Sequence, residues 1–449
     1  MPRSLLAVLT PVLLLLATAA PAPAAALPVP STPQLIERAG LDRADELRML
    51  AYAVAKPGRL PQRFRSDTPW DGTFVLRRLQ REAPRLLETV AEPRINTEPS
   101  VQCSVLSLGP NPQAYESEFF YIEYPDNLVF QGGLTIEDYA ESLDGAWRKE
   151  IEQFGYAAPP ILPGTPEGKY DVRIGPLGAG LYGFVSNQGT YAGPAGDNED
   201  TPWTEDDADA SCMGLNSDYV TGFDQLTVGS ARGRLDATTA HEFLHSIQYG
   251  LGALDGGDTE PDLNFSEGHA TWMEDEVYDS ANDQYNYLYP EFRDSMGEHD
   301  EGSEYSYFLI WRGLTERFGS GVPGQKPEEF IQEFWEIISR EQFGPMDAIE
   351  NAYSGKTGLS LADGYHDFAR AARFLKQCGG GYVLPFCFGE ADAWAEVAGS
   401  RPEPDGSIDA MDGSYGTDDE PAEIEDNYTL NWVDLPEGDA PLEAVLDHK

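Results

Sequence analysis

Cysteine and histidine are both scarce in this 449-residue chain, which contains four of the first and six of the second. No CxxC spacing occurs, so a cysteine-rich zinc site is excluded. In an exported chain four cysteines are most simply two disulfides. Cys378 and Cys387 are the expected local pair, which leaves Cys103 for Cys212. Two of the six histidines, in contrast, lie only four positions apart.

Long hydrophobic runs are absent beyond the N-terminus. Residues 5–16 form an apolar run that Pro11 interrupts, and the run is shorter than the roughly 20 residues of a membrane-spanning helix. The basic Arg3 precedes it and small residues follow it, a pattern typical of a secretion signal. The sequence therefore predicts a signal peptide over residues 1–26, a secreted protein, and no membrane attachment after cleavage.

Basic residues are few, because 30 Lys and Arg stand against 77 Asp and Glu and give a net charge of −47. This charge excludes nucleic acids and anionic membranes as natural partners. The imbalance is uneven, since residues 32–94 carry 12 basic and 9 acidic side chains. Residues 27–95 are therefore interpreted either as a propeptide that docks on the acidic remainder or as an ordinary N-terminal subdomain.

The periodicity of apolar residues predicts an α+β protein. Residues 27–95 have helical spacing and form a small helical N-terminal region. Residues 119–124 and 170–174 have the composition of strands, with an amphipathic helix between them. Beyond residue 265 the central domain at 96–380 is predicted to be mostly helical, so a cleft is expected between its mixed half and its helical half. An acidic extension at 381–449 follows.

Residues 176–235 are rich in Gly, Asn and Asp and contain the stretch DNEDTPWTEDDADASC. This composition predicts a surface loop. Its carboxylates are oxygen ligands of the kind that calcium prefers, so Ca²⁺ is a candidate second cofactor. No EF-hand spacing occurs, which favours the alternative of a solvated acidic loop.

The histidine pair lies in TTAHEFLHSIQYG, residues 238–250. His241 and His245 are at positions i and i+4 of a segment without Pro or Gly until Gly250, so a helix places both imidazoles on one face, near a single ion. Glu242 can reach a water on that ion as general base. No other acidic or basic residue interrupts the segment up to residue 249, as expected for a helix buried beside an active site.

A catalytic zinc ion needs a third protein ligand and one open position. The downstream segment NFSEGHATWMED offers Glu267, His269 and Glu274. Glu267 and Glu274 are two helical turns apart, so only one of them can contact the ion. His269 is two residues from Glu267 and faces elsewhere, which favours a hydrogen-bonded structural role. Spacing alone leaves both glutamates open.

Together, HEFLH and SEGHATWME resemble the gluzincin clan of zinc metallopeptidases, in which a glutamate ligand on a second helix follows HExxH. The chain is more closely similar to a group of secreted bacterial metallopeptidases that contain the motifs HEFFHxxQ and EGTAxWMED. The segments that carry this similarity are HEFLHSIQYG, EGHATWMEDEVYD and YSYFLIWRGLTERFG. The resemblance covers residues 115–375, and its motifs are specific between 236 and 316. It implies a zincin-like domain at 96–380, with a mixed sheet and the HExxH helix before a mainly helical lobe.

Residue by residue, the resemblance implies that His241, His245 and Glu267 bind Zn²⁺ and that Glu242 is the general base toward a zinc-bound water. The implied activity is hydrolysis of peptide bonds, with a protein or peptide as substrate. Tyr305 falls where aminopeptidase-like relatives place a tyrosine that stabilises the oxyanion.

Tyr307 is the alternative to that tyrosine, and either residue can be a core aromatic. The chain also departs from the family pattern. Thermolysin-like members place an Asp four residues after the ligand Glu to contact a histidine, whereas this chain has Thr271. Glu274, Asp275 and Asp236 are the candidates for that role. The GxMEN segment that holds a free amino terminus in aminopeptidases is absent, which favours internal cleavage.

Two other functions stay open at this point. The carboxylate excess suits a catalytically degenerate secreted protein that binds calcium or a surface partner, although all four core residues are present. A zinc amidase or esterase is the other alternative, because neither fold nor motif defines the substrate.

Overall fold

A computed structural model gives the architecture of most of the chain. It describes residues 29–90, 105–161, 165–178, 180–188, 197–205, 207–220, 229–254, 263–288, 304–319, 328–341, 343–379, 381, 383–384, 386–389, 391, 394, 406–407 and 433–434. The predicted signal peptide lies outside the described residues, as does most of the predicted acidic extension. The described part is a mixed α+β structure with a five-stranded mixed sheet and eleven α-helices.

Residues 29–90, called the N-terminal unit from here on, are helical as the sequence predicts. The unit contains helices α1 (Thr32–Glu37), α2 (Arg43–Ala55), α3 (Thr73–Glu82) and α4 (Pro84–Val90). Ile36, Leu50 and Leu76 are fully buried in its core. That core also takes in Phe184 from the central sheet and Leu181, which lies just before the same strand, so the unit is packed against the rest of the protein over an apolar surface.

The central sheet is mixed, with its strands in the order β1-β2-β3-β5-β4. The strands are β1 (Gln113–Glu116), β2 (Phe120–Tyr124), β3 (Tyr170–Gly175), β4 (Gly183–Asn187) and β5 (Ser211–Asn216). β2, β3 and β5 are parallel to one another, whereas β1 and β4 are antiparallel to their neighbours. β4 therefore forms one edge of the sheet.

The prediction of a surface loop over residues 176–235 is wrong. β4 and the fully buried β5 both lie in this range. The glycines of these strands allow close packing. A Cβ on Gly214 would lie 2.2 Å from the ring of Phe184, which is opposite Gly214 in the sheet. A strand needs glycine where an aromatic ring of the neighbouring strand packs against its backbone. The resulting glycine content resembles that of a turn, so the sequence predicts a loop there.

Two helices cover the sheet beside the histidine motif. These are α5 (Ile136–Trp147), which continues as a π-helical turn (Arg148–Phe154), and α6 (Ala231–Gly250). The side chain of Ser230 caps α6 by accepting from the N–H of Gly233 at 3.0 Å. The helix is buried along its whole second half, which confirms the expectation drawn from its lack of charge.

The remaining helices form a mainly helical lobe that packs on α6. They are α7 (Leu263–Val277), α8 (Phe308–Gly319), α9 (Glu328–Glu341), α10 (Pro345–Thr357) and α11 (Leu361–Phe374). Cys378 and Cys387 form the predicted disulfide. Cys212 is disulfide-bonded as well, and its predicted partner Cys103 lies outside the described residues.

Two short strands, β6 (Gly406–Ser407) and β7 (Val433–Asp434), pair in parallel in the C-terminal region. Both strands lie in the predicted acidic extension. Within the part of the chain that the structure describes, none of the helices has both the length and the apolar character needed to cross a bilayer.

Candidate metal centre

Helix α6 presents three polar side chains to one buried point. His241 and His245 lie one turn apart, and Glu242 lies beside the first of them. Their exposed fractions are 5%, 0% and 1%. Burying two imidazoles and a carboxylate costs free energy unless they have partners, so the surroundings of these groups determine their role.

The Nε2 atoms of both histidines and a carboxylate of α7 converge. His241 Nε2 and His245 Nε2 are 3.2 Å apart, and Glu267 Oε2 lies 2.9 Å from the first and 3.6 Å from the second. A carboxylate oxygen of Asp71, in the N-terminal unit, lies 3.8 Å from His245 Nε2. One potential ligand atom from each of these four residues falls within 4.8 Å of all the others.

The outer nitrogens of the two imidazoles have partners of their own. His241 Nδ1 is 2.7 Å from Glu274 Oε1, and His245 Nδ1 is 2.7 Å from Gln248 Oε1. The amide nitrogen of Gln248 donates to the Ser266 carbonyl, which assigns Oε1 to the histidine side. Nδ1 of His245 therefore donates to Gln248, and its Nε2 faces the other side chains of the group.

These contacts define a group that could hold a metal ion. With a cation bound between them, the Nδ1 of each imidazole would donate outward, and both Nε2 atoms and the Oε2 of Glu267 would serve as its ligands. Two imidazoles and a carboxylate match the ligand set of many catalytic zinc sites. A buried partner on the outer nitrogen of a ligating histidine is the usual arrangement around such an ion.

Glu267 and Glu274 thus occupy different places, although spacing left them open. Glu267 lies on the metal side of His241, and Glu274 lies on its outer side. Hydrogen bonds from both histidines outweigh burial and lower the pKa of Glu267 to about 2. Burial raises the pKa of Glu274 to about 7. Although burial opposes its protonation, the two carboxylates raise the pKa of His241 well above its usual range.

Glu242 contacts both β4 and the N-terminal unit. A Cβ on Gly183 would lie 2.8 Å from Glu242 Oε1, so the glycine at this position of β4 leaves room for the carboxyl group. Glu242 Oε2 is 3.2 Å from the hydroxyl of Thr73. Burial, together with the charge of Asp71, raises the pKa of Glu242 well above its usual range.

Of the two candidate tyrosines, only Tyr305 reaches the site. Its ring centroid is 6.1 Å from that of His241, and its hydroxyl accepts a hydrogen bond from the backbone N–H of Asp71 at 2.8 Å. Burial and the charge of Glu267 raise its pKa well above the ordinary range. Tyr307 is buried in the main core against Gly268.

The other residues considered from sequence lie outside the metal group. His269 is fully buried, with its Nδ1 accepting from the indole N–H of Trp335 at 2.6 Å and its Nε2 3.3 Å from the Tyr156 hydroxyl. It is the hydrogen-bonded structural residue that the sequence predicts. Asp275 forms an ion pair with Arg312.

Asp236 hydrogen-bonds the Ser142 hydroxyl at 2.7 Å. Three acidic residues were candidates for the partner of a ligating histidine. Among the contacts of the described residues, Glu274 is the one of the three that hydrogen-bonds such a histidine, His241.

Sequence reasoning missed residues 70–73, which link the N-terminal unit to the site. The N–H of Trp70 donates to the Gly180 carbonyl at 2.9 Å, and the N–H of Gly72 donates to the Gly183 carbonyl at 3.0 Å. Between them Asp71 points into the metal group. The only sequence signal is the turn-like stretch PWDGT between two helical segments, and nothing in it points to residues 170 positions away.

No protein-family model matches the chain, and no curated protein matches it. The resemblance to gluzincins therefore stays a prediction.

Proposed function

We propose that this protein is a secreted zinc-dependent metallopeptidase that cleaves peptide bonds inside a polypeptide chain. The observation that carries the proposal is the convergence of His241 Nε2, His245 Nε2 and Glu267 Oε2, with Glu242 one residue from the first ligand. Export is supported by the Cys378–Cys387 disulfide, because such bonds persist in oxidising compartments.

His241, His245 and Glu267 would hold the ion, and Glu274 and Gln248 would keep the two imidazoles oriented. When bound, zinc supplies a water acidified toward neutral pH and a Lewis acid for the substrate carbonyl. Three protein ligands leave one position for these two tasks, as catalytic rather than structural sites require.

Glu242 is placed to carry a proton between the attacking water and the leaving amine. Burial favours the neutral form of its carboxyl group and raises its pKa, as suits a group that takes up and releases a proton. The lack of a Cβ at Gly183 leaves room for this carboxyl group. The general-base role predicted from the motif is consistent with this placement.

Tyr305 is placed to donate a hydrogen bond to the oxygen that becomes negative in the transition state. Its raised pKa keeps the hydroxyl protonated at neutral pH, and a fixed donor of this kind stabilises an oxyanion. The hydroxyl lies beside the metal group and belongs to a different element from the ligands, so its loss should leave metal binding intact.

A polypeptide substrate is supported by the position of β4. This edge strand runs beside Glu242, and an extended chain can add to a sheet edge through main-chain hydrogen bonds. Residues 70–72 of the protein itself make such bonds to residues 180 and 183. A small amide or ester would use none of this surface, which favours the peptidase over the amidase or esterase.

The test combines metal analysis with peptide hydrolysis. Protein purified without chelators should hold zinc in a 1:1 ratio, and the Glu242→Gln variant should keep the zinc while losing about 100-fold or more of the hydrolysis of a denatured protein substrate. Asp67→Ala, an exposed substitution in the N-terminal unit, is the control for purification and handling. A chain without stoichiometric zinc, or an unchanged Glu242→Gln variant, contradicts the proposal.

A further inference from the structure

We infer that Asp71 is a fourth ligand of the same ion and that the N-terminal unit thereby holds the enzyme in a latent form. The inference rests on the proposed function, because it concerns the regulation of that site. It depends on contacts of residues 70–74, none of which the histidine motif or its resemblance to a family assigns.

The first argument is the number of ligands. The side chain of Asp71 is only 4% exposed, and its carboxylate belongs to the same cluster as His241, His245 and Glu267. Four protein ligands close a zinc site, whereas a catalytic site keeps one position open. With Asp71 in place the group has the composition of a closed site, and without Asp71 it has that of an open one.

The second argument is that the same short segment engages the proposed catalytic side chains. The Thr73 hydroxyl lies 3.2 Å from Glu242 Oε2 and accepts from the N–H of Val185 at 2.8 Å. The backbone N–H of Asp71 donates a hydrogen bond to the hydroxyl oxygen of Tyr305. Residues 71 and 73 thus contact the metal group, the proton carrier and the oxyanion donor at once.

The third argument is access. Trp70 forms a parallel bridge with Leu181, so residues 70–72 cover the edge where a substrate backbone would add. Gly72 lets the two chains meet closely, because a Cβ there would lie 2.9 Å from Phe184 Cβ. The cavity left between Asp71, Glu242 and Tyr305 measures about 20 Å³, which is room for about one water molecule.

The fourth argument concerns how firmly the segment is held. Phe74 packs edge-on against the ring of His245, with centroids 5.5 Å apart. Phe184 of β4 and Leu181, just before it, are part of the unit's own core. The segment is consequently placed by a folded unit and not by a mobile tail, so activation requires that the unit be displaced as a whole or removed by peptide-bond hydrolysis.

The experiment uses the full chain loaded with Co²⁺, whose visible absorption reports the ligands of the site. Asp71→Ala is compared with the wild type and with Asp67→Ala, which removes the same charge from an exposed position four residues earlier. Acetohydroxamate, a small metal-binding probe, is titrated into each protein. Asp71→Asn, which keeps the shape of the side chain, is measured in parallel, and circular dichroism verifies folding.

We expect the Co²⁺ spectrum to change in both Asp71 variants and not in Asp67→Ala. Acetohydroxamate should bind at least about tenfold more tightly once the tethered carboxylate no longer competes for the ion. Peptide hydrolysis by the full-length chain should rise by a similar factor. An active form isolated after secretion should lack the N-terminal unit.

Equal spectra and equal acetohydroxamate binding in wild type and Asp71→Ala overturn the inference. So does loss of the ion from a folded Asp71→Ala variant, because Asp71 would then be a permanent ligand. A wild-type chain that is fully active with the N-terminal unit attached also overturns the inference. In each case stoichiometric zinc and an inactive Glu242→Gln variant would still support the peptidase, so the two proposals fail separately.

Discussion

His241 and His245 each use one ring nitrogen for the metal group and the other for a buried partner. The partners differ in character, since Glu274 is an acid and Gln248 is an amide. A neutral acceptor fixes the ring and its tautomer without adding charge to the site. Gln248 is itself held by the Ser266 carbonyl, so the orientation of His245 depends on a chain of two hydrogen bonds.

Gln248→Leu is therefore expected to weaken zinc binding by about 10- to 100-fold, because His245 loses the acceptor that fixes its Nδ1–H. Competition with a chromophoric zinc chelator measures the effect. Gln248→Glu retains an acceptor at the same place and should recover most of the affinity. Equal affinities of the wild type and Gln248→Leu would contradict this role for the amide.

The metal-site residues differ in how far the sequence could predict them. His241, His245 and Glu242 follow from spacing on a single helix, which is a local property. The choice of Glu267 over Glu274 depends on how α7 crosses α6, and spacing on α7 does not contain that information. Asp71 is harder still to predict from the sequence, because its contact with His245 exists only after the N-terminal unit packs on β4.

At the scale of elements, the junction after α5 is unusual. The helix widens into a π-helical turn that ends at Gly155, whose φ of +88° lies in the left-handed region. Glu150 lies on this turn with a fully buried carboxyl group, and among the described residues neither of its oxygens has a hydrogen-bond partner. Burial raises its pKa well above the ordinary value of 4.5.

Glu150→Gln should stabilise the protein at neutral and alkaline pH. Above about pH 4.5 the unfolded chain loses this proton while the folded chain keeps it, so the wild type loses up to about 1.4 kcal/mol per pH unit until the folded carboxyl ionises. The Tm advantage of the variant should grow between about pH 5 and pH 8. Glu152→Gln, exposed on the same turn, should show no such growth.

Elements with a strong period were the ones that could be predicted. β2, β3 and α5 lie where the alternation and helical spacing of their residues place them. β4 and β5 could not be recognised, because their glycines make room for Glu242 and Phe184 and these contacts join separate parts of the chain. The glycine content that made these strands resemble a loop is thus a consequence of the packing around the site.

At the scale of the whole molecule, charge is the dominant feature. Because 77 acidic residues stand against 30 basic ones, the excess negative charges repel one another more strongly in the compact state than in the unfolded chain. The few basic residues are concentrated in the N-terminal unit, where Arg78 pairs with Glu37 at 2.6 Å. Most of the charge excess lies elsewhere and is compensated only by ions from solution.

Raising NaCl from about 20 mM to about 0.3 M at pH 7 is therefore expected to raise the Tm, by an amount on the order of 2 °C, because shorter screening lengths weaken the repulsion. Differential scanning calorimetry at a constant scan rate measures the shift. Near the sequence pI of about 4.2 the net charge is small, and the same addition of salt should have little effect. A Tm that falls with salt at pH 7 would contradict this account.

The bridge between Trp70 and Leu181 also has a consequence for solubility. An unpaired sheet edge with apolar neighbours is a template on which another chain can add, and aggregation starts at such edges. β4 is such an edge, and residues 70–72 cover it. A chain that loses this cover depends on its large negative charge to keep identical molecules apart.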